Sequence, residues 1–313
     1  MIVEIVLIVV GLAVVLWGAD RFTDGACGMA RRLKVSELVV GLTVVSLGTS
    51  LPEFMVSFMS LLRHSSNMSV GNVMGSNIFN ILVIIGVSAI LCDIKVKNSL
   101  LWRDLPICFV VSALLLVFAV SGGRIERWEG MALATYFFCY LYMAYRIALS
   151  DRKAAADEEP KGEQMSVVRM VVLIVVGIAS LIVGGNVLVD NAAAVAREWG
   201  ISESVIGMTI LAGGTSFPEL ATSVVAASKG RYGLALGNVF GSNIFNIAFV
   251  IGFCSSVVPM EVTQIRTADW AMLVGSCVLV WLTAFTRRTF NRWEGILLTL
   301  SYVTYITWLI VGK

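Results

Sequence analysis

Residues 41–53 read GLTVVSLGTSLPE, and residues 207–219 read GMTILAGGTSFPE. The same offset of 166 residues relates a longer stretch: residues 39–86 and residues 205–252 share 21 identities in 48 positions without a gap. Such self-similarity indicates an internal duplication, so the fold should consist of two similar units. Each copy also carries one glutamate inside an otherwise apolar run. Within a membrane, an ionisable group in such a run is energetically expensive and is usually functional.

The composition places the chain in a membrane. Hydrophobic residues make up 58% of it and charged residues 14%, and the mean hydropathy of +0.88 excludes a soluble globular domain. A spanning helix needs about 20 apolar residues, and by that measure the sequence predicts ten spans. They cover residues 2–20, 36–62, 70–91, 104–121, 127–149, 167–190, 202–228, 235–258, 268–286 and 293–311. Long uninterrupted apolar runs also exclude an outer-membrane barrel, whose strands alternate apolar and polar residues.

The basic residues indicate the orientation, because cytoplasmic loops carry an excess of lysine and arginine. The loops after the first, third, fifth, seventh and ninth spans, with the adjoining helix ends, hold 17 of the 23 basic residues. We therefore predict a multi-pass protein of the plasma (inner) membrane with both termini on the non-cytoplasmic side. The first span has no basic segment before it and no small-residue cleavage site, so we expect a retained helix rather than a removable signal.

One polar segment divides the chain. Residues 150–166, SDRKAAADEEPKGEQMS, predict a cytoplasmic linker between a first five-helix repeat, residues 1–149, and a second, residues 167–313. An odd number of spans in each repeat turns the second copy upside down relative to the first. Inverted repeats of this kind occur in secondary transporters, whose binding sites lie near the bilayer midplane where the repeats meet. The predicted fold class is an all-α polytopic membrane protein with ten transmembrane helices in two inverted five-helix repeats.

The repeated acidic segments predict a cage of oxygen ligands. Pro52 and Pro218 lack the N–H that a helix interior needs and crowd the preceding turn, so each helix should break beside its glutamate and free backbone carbonyls. In hydrocarbon, such carbonyls are tolerated only where they line a cavity or meet a ligand. Hydroxyl and amide groups accompany each glutamate. The candidate ligands are Glu53, Thr49, Ser50, Ser76 and Asn80 in the first copy, and Glu219, Thr215, Ser216, Ser242 and Asn246 in the second.

Hard cations prefer such oxygen-rich sites. Ca²⁺ takes about 6–8 oxygens at about 2.3–2.6 Å, and two ionised glutamates would neutralise one Ca²⁺ or two Na⁺. The motifs contain no histidine, cysteine or basic residue, which argues against zinc, copper or an anionic substrate. Tight helix packing is the competing explanation, since glycine and serine let helices approach closely. Two copies that each combine an acid with a proline break make packing alone the weaker interpretation.

These motifs resemble those of the calcium/cation antiporter superfamily, in particular the prokaryotic sodium/calcium exchangers. The pattern G-T-S-x-P-E followed by G-N-x-x-G-S-N-I occurs twice, and the likeness covers essentially the whole chain. It implies ten helices in two inverted halves, long and tilted first and sixth helices, and ion sites between the second, third, seventh and eighth. It also implies that the backbone carbonyls of Ser46 and Ala212 are ligands. The expected partners are Ca²⁺, Na⁺ and the lipid bilayer, with no cofactor, no nucleic acid and no enzymatic activity, and a monomer should suffice for transport.

One departure leaves the coupling ion open. Well-described sodium/calcium exchangers carry an aspartate on the eighth helix where this chain has Asn246, so both copies present an asparagine. Electrogenic Na⁺/Ca²⁺ antiport by alternating access is the first hypothesis, with H⁺/Ca²⁺ exchange and K⁺-dependent Na⁺/Ca²⁺ exchange as alternatives. A passive cation channel belongs to another class and would need weak binding at several sites. An intramembrane hydrolase is the weakest alternative, because the repeats contain no paired nucleophile and base.

Overall fold

The computed structural model describes residues 2–63, 65–154, 165–201, 206, 210, 212–263 and 265–311. In this part of the chain the protein is all-α apart from four two-residue strands. The helices are α1 (Ile2–Leu33), α2 (Glu37–Thr49), α3 (Leu51–Leu62), α4 (Ser66–Leu91), α5 (Leu100–Gly122), α6 (Arg127–Ala154), α7 (Val167–Glu198), α8 (Ala212–Gly214), α9 (Phe217–Ser228), α10 (Tyr232–Val257), α11 (Thr267–Arg287) and α12 (Arg292–Val311). The strands are β1 (Ile94–Lys95), β2 (Arg124–Ile125), β3 (Met260–Glu261) and β4 (Thr289–Phe290).

Eight of these helices are long and apolar enough to cross a membrane: α1, α4, α5, α6, α7, α10, α11 and α12. The bent pair of α2 and α3 also passes as a single span, which brings the number among the described residues to nine. The remaining predicted span, 202–228, includes residues 202–205, 207–209 and 211, which lie outside the described residues, and its described part contains α8 and α9. Residues 155–164 of the predicted linker also lie outside them.

The helices of the first and sixth spans extend beyond the apolar runs that predicted those spans, and their length agrees with what the family resemblance implies. The expected first span covers residues 2–20, but α1 continues to Leu33 and is 32 residues long, as is α7. At about 1.5 Å per residue, each helix is about 48 Å long and exceeds a hydrocarbon core of about 30 Å. The charged residues taken as the end of the span lie within the helix, where Lys229 Nζ lies 2.6 Å from Asp20 and 2.7 Å from Asp24. The apolar run therefore does not mark the end of the helix.

Small residues bring α1 and α7 into direct contact. A Cβ built on Gly11 would lie 3.0 Å from the carbonyl oxygen of Gly184, and one on Gly18 would lie 3.0 Å from that of Gly177. The contacts move backward along α7 as they advance along α1, so the two helices run antiparallel. Glycine at such crossings allows two backbones to approach as closely as membrane helices do.

Two short sheets join the copies. β1 pairs with β4, with Ile94 opposite Phe290, and β2 pairs with β3, with Ile125 opposite Met260. α5 runs from the end near β1 to the end near β2, so the two sheets lie at opposite ends of this spanning helix. Each sheet takes one strand from each copy. The two halves of the chain are therefore interlocked rather than laid side by side.

Both acidic segments break their helices as predicted. α2 ends before Ser50 and α3 begins after it, with an angle of 46° between them. Pro52 and Pro218 lie in the first turns of α3 and α9, where the missing N–H has no helical acceptor to lose. The breaks therefore place Glu53 and Glu219 in first turns as well, near the positive end of each helix dipole.

The helices facing these breaks are α4 and α10. Both contain a π-helical stretch, Asn80–Ile84 in α4 and Phe245–Ile251 in α10. Such stretches are rare and are frequently found at functional sites, because they widen the helix locally. Asn80 begins the first stretch and Asn246 lies in the second, so the predicted amide ligands coincide with the irregular backbone.

Candidate functional site

Glu53 and Glu219 lie fully buried in one cluster, and each is held by the other copy. The Ser50 hydroxyl donates to Glu219 Oε1 at 2.7 Å, and the Ser216 hydroxyl donates to Glu53 Oε1 at 3.0 Å. Because each serine lies three residues before its own copy's glutamate, these crossed hydrogen bonds bring the two carboxylates together. The second oxygen of each, Oε2, is buried and has no hydrogen-bond partner among the described residues. A buried acceptor is costly to leave unpaired, so these oxygens indicate a ligand.

Further predicted ligands contribute buried oxygens in matched pairs. The hydroxyls of Ser76 and Ser242, and the side-chain oxygens of Asn80 and Asn246, form no hydrogen bond with any described residue. All four residues have 0% exposure. With the two carboxylate oxygens and the Thr215 hydroxyl, seven predicted ligand atoms are unpaired among the described residues, which is within the set of about 6–8 oxygens that Ca²⁺ takes.

The other predicted ligands are placed differently. The Thr49 hydroxyl lies 3.0 Å from Asn238 Oδ1 and so ties α2 to α10. The Thr215 hydroxyl is buried and has no partner in the described part of the chain. The Ser46 carbonyl accepts the Ser50 N–H at 3.0 Å, so any ion there would share it with a helical hydrogen bond. Ala212 begins α8, one turn before the helix break.

Two further asparagines in the repeated motif hold helices together. Asn72 Nδ2 donates to Ser57 Oγ at 3.0 Å, and Asn238 Nδ2 donates to Ser223 Oγ at 2.9 Å. Each bond joins an acid-bearing helix to the next helix of its own copy. These four residues therefore hold together the helices that carry the predicted ligands.

Asn77 and Asn243 are the residues that sequence reasoning misses. Both are buried, and they form a reciprocal pair in which each Nδ2 donates to the other residue's backbone carbonyl at 3.1 Å. They follow directly after the predicted ligands Ser76 and Ser242. Their identical repetition within G-S-N was the only signal in the sequence, and it did not show that they meet across the two copies.

Comparison with known proteins identifies the family. The model of the sodium/calcium exchanger protein family matches residues 3–146 and, a second time, residues 169–311. The chain belongs to this family. A double match to one model also agrees with the duplication found in the sequence.

Two relatives cover nearly the whole chain. The putative antiporter CaxA of Alkalimonas amylolytica is 34% identical over 97% of this chain and 98% of its own length. The sodium/calcium exchanger MaX1 of Methanosarcina acetivorans is 31% identical over 97% of both chains. A solved structure of the sodium-calcium exchanger NCX_Mj, soaked with zero Na⁺ and Ca²⁺, matches with a TM-score of 0.83 at 31% identity, covering 98% of this chain and 99% of that one. The protein thus has an NCX_Mj-like fold and belongs to a family of membrane exchangers.

Proposed function

We propose that this protein is a secondary active transporter that exchanges Na⁺ for Ca²⁺ across the membrane by alternating access, and that the exchange is electrogenic. The crossed serine–glutamate hydrogen bonds carry the proposal, because they hold two carboxylates in one dry cluster. Ionised, the pair neutralises one Ca²⁺ or two Na⁺, so the two ions compete for the same charge. A third Na⁺, bound only by hydroxyl, amide and carbonyl oxygens, would make the exchange electrogenic. The names of the relatives, an antiporter and a sodium/calcium exchanger, support the same substrates.

The ligands that we propose are the twelve residues predicted from the sequence. Side-chain oxygens would come from Glu53, Glu219, Thr49, Ser50, Thr215, Ser216, Ser76, Ser242, Asn80 and Asn246, and backbone carbonyls from Ser46 and Ala212. All of these liganding side chains except the half-buried Thr215 are buried, which excludes water from the ion and strengthens each ion–oxygen attraction. Hydroxyl and amide ligands in place of further carboxylates keep the charge of the site close to that of one divalent cation.

We also propose that the fold consists of ten transmembrane helices in two inverted five-helix halves, residues 1–149 and 167–313, joined by a cytoplasmic linker, residues 150–166. The antiparallel contact of α1 and α7 and the exchange of strands between copies support this arrangement. Ser36 N donates to Asp151 Oδ2 at 3.0 Å, which supports placing the loop after the first span and the linker on one side of the membrane. The excess of lysine and arginine in these segments assigns that side to the cytoplasm. Both termini then face away from the cytoplasm of a plasma (inner) membrane.

Uptake of ⁴⁵Ca²⁺ into liposomes that contain the purified protein tests this function, with Na⁺, K⁺, pH and voltage gradients varied separately. We expect an outward Na⁺ gradient to drive uptake that a pH jump does not replace, and that responds to membrane potential. Uptake insensitive to Na⁺ contradicts the proposal. A response to pH alone would assign H⁺/Ca²⁺ exchange, a strict need for K⁺ would assign the K⁺-dependent alternative, and single-channel currents in planar bilayers would assign a channel.

A further inference from the structure

We propose that Asn77 and Asn243 are positioning residues for transport: each fixes the side-chain amide of an asparagine in the other copy so that its oxygen faces the transported cation. Asn77 acts on Asn246, and Asn243 acts on Asn80. The proposal rests on the proposed function, because it names how two of the proposed ligands are held. We call the two residues the amide pair.

The orientation of the amide pair follows from elementary hydrogen-bond chemistry. A backbone carbonyl can only accept, so the group of Asn77 that lies 3.1 Å from the Asn243 carbonyl must be its Nδ2. The other end of that amide, Oδ1, then faces Asn246, whose Nδ2 lies 3.1 Å away. Asn246 must offer its donor to this acceptor. Its own Oδ1 is thereby turned away from the pair, buried and without a partner among the described residues.

The second copy repeats the arrangement with the roles exchanged. Asn243 Nδ2 donates to the Asn77 carbonyl at 3.1 Å, and Asn243 Oδ1 accepts from Asn80 Nδ2 at 3.1 Å. The side chains of Asn77, Asn80 and Asn243 have at most 1% exposure, so water does not substitute for a lost hydrogen-bond partner. One backbone carbonyl in each copy therefore determines which end of a ligand amide is available to the ion.

The amide pair matters because the two ends of an amide have opposite effects on a cation. An asparagine that presents Oδ1 is a ligand for Ca²⁺ or Na⁺, whereas one rotated by half a turn presents N–H groups of positive partial charge. Without Asn77, nothing in the described contacts distinguishes the two orientations of Asn246. The pair also restricts positions 80 and 246 to side chains that donate a hydrogen bond, which gives a physical reason for asparagine at both.

A double-mutant cycle tests the amide pair, because the partner it assigns to each residue is not its neighbour in sequence. Asn77 lies three positions from Asn80, but its assigned partner is Asn246, 169 residues away. We expect Asn77→Ala to raise KM for Ca²⁺ roughly tenfold, the effect of losing one buried hydrogen-bond partner. Added to Asn246→Ala it should raise KM no further, whereas added to Asn80→Ala the two effects should multiply.

The matched control is Asn191→Ala. Asn191 also donates its Nδ2 to a backbone carbonyl, that of Val187 at 2.7 Å, but this acceptor belongs to its own helix, α7, so the bond positions no proposed ligand. KM should be unchanged in this variant. Thermal unfolding of every variant separates a loss of fold from a loss of ion affinity. If Asn77→Ala does not fold, the mirror cycle of Asn243 with Asn80 makes the same test.

Three results would overturn the proposal. They are a wild-type KM in Asn77→Ala, multiplied effects of Asn77→Ala and Asn246→Ala, or coupling of Asn77 to Asn80 instead. Additive effects in the mirror cycle have the same consequence. Failure of the proposed function gives a different result, because Glu53→Gln would then transport Ca²⁺ like the wild type. An effect of Asn246→Ala without one of Asn77→Ala contradicts the amide pair and leaves the proposed function standing.

Discussion

Replacing Gly177 with alanine should force α1 and α7 apart. A Cβ on residue 177 would lie 2.7 Å from Phe22 Cβ and 2.8 Å from Phe22 N. Carbon atoms in ordinary contact lie about 3.5–4.0 Å apart, so the two backbones must separate by about 1 Å. Neither atom of Phe22 can move by a change of rotamer, since one is backbone and the other is its Cβ. The strain therefore falls on the helix contact itself.

The expected cost follows from comparable overpacked positions. An added methyl group in a close-packed interior destabilises a protein by about 1–3 kcal/mol. Gly185 provides the matched control, because it lies on the same helix and a Cβ there meets no described atom within 4 Å. Gly185→Ala should be neutral, or stabilising by up to about 1 kcal/mol, since alanine favours a helix over glycine.

Thermal unfolding of the two purified variants in the same detergent measures the difference. For a chain of this size, about 1–3 kcal/mol corresponds to a fall in Tm of several degrees for Gly177→Ala, and Gly185→Ala should unfold at or slightly above the wild-type temperature. ⁴⁵Ca²⁺ uptake should fall only in the first variant, because its α1–α7 contact is disturbed. Equal unfolding temperatures for the two variants would refute the packing described for these helices.

Other predictions concern the carboxylates, one amide and a helix start. Glu53→Gln and Glu219→Gln should each abolish ⁴⁵Ca²⁺ uptake without loss of the folded protein in size-exclusion chromatography, because glutamine still accepts the serine hydroxyl but removes half the charge; wild-type flux in either contradicts the site. Asn246→Asp should reduce uptake and change its dependence on Na⁺ and pH, since an ionised carboxylate would face Asn77 Oδ1; unchanged ion dependence contradicts this. Glu129→Ala should lower the unfolding free energy by about 1 kcal/mol, because Glu129 Oε2 accepts the Glu126 backbone N–H at the start of α6 at 2.8 Å; an unchanged Tm would show that this cap contributes nothing.

The sequence was informative wherever the physics is local. A proline interrupts the helix in the turn that precedes it. The positions of Pro52 and Pro218 therefore predicted both breaks, and they also predicted the turn that carries each glutamate. Most span limits were also predicted to within a few residues. The apolar run placed the end of α1 too early, because Asp20 and Asp24 mark where the apolar residues stop and not where the helix does; both lie beside Lys229, which is more than 200 positions away. A charged residue after an apolar run therefore does not show by itself whether the helix ends there.

The relation between the copies could not be predicted from spacing. Ser50 lies in the same turn region as Glu53, and a local interpretation would pair them, but the hydroxyl reaches Glu219 instead. Asn77 likewise received no role from the sequence, although its side chain donates to the Asn243 carbonyl across the molecule. Both contacts depend on how two folded halves interlock. A repeat in the sequence shows that the two halves are alike, but it does not show which side chains of one half contact the other.

This exchange of contacts bears on how a transporter avoids moving while empty. Because Ser216 holds Glu53 and Ser50 holds Glu219, neither half contains a complete site, and any relative motion of the halves disturbs both carboxylates at once. Two ionised carboxylates in one dry cluster repel each other unless a cation lies between them. A ligand shifts a conformational equilibrium only by its difference in affinity for the two states, and here that difference includes the relief of this repulsion. If the protein exchanges cations as proposed, the crossed hydrogen bonds would make the rearrangement depend on ion occupancy, which exchange without leak requires.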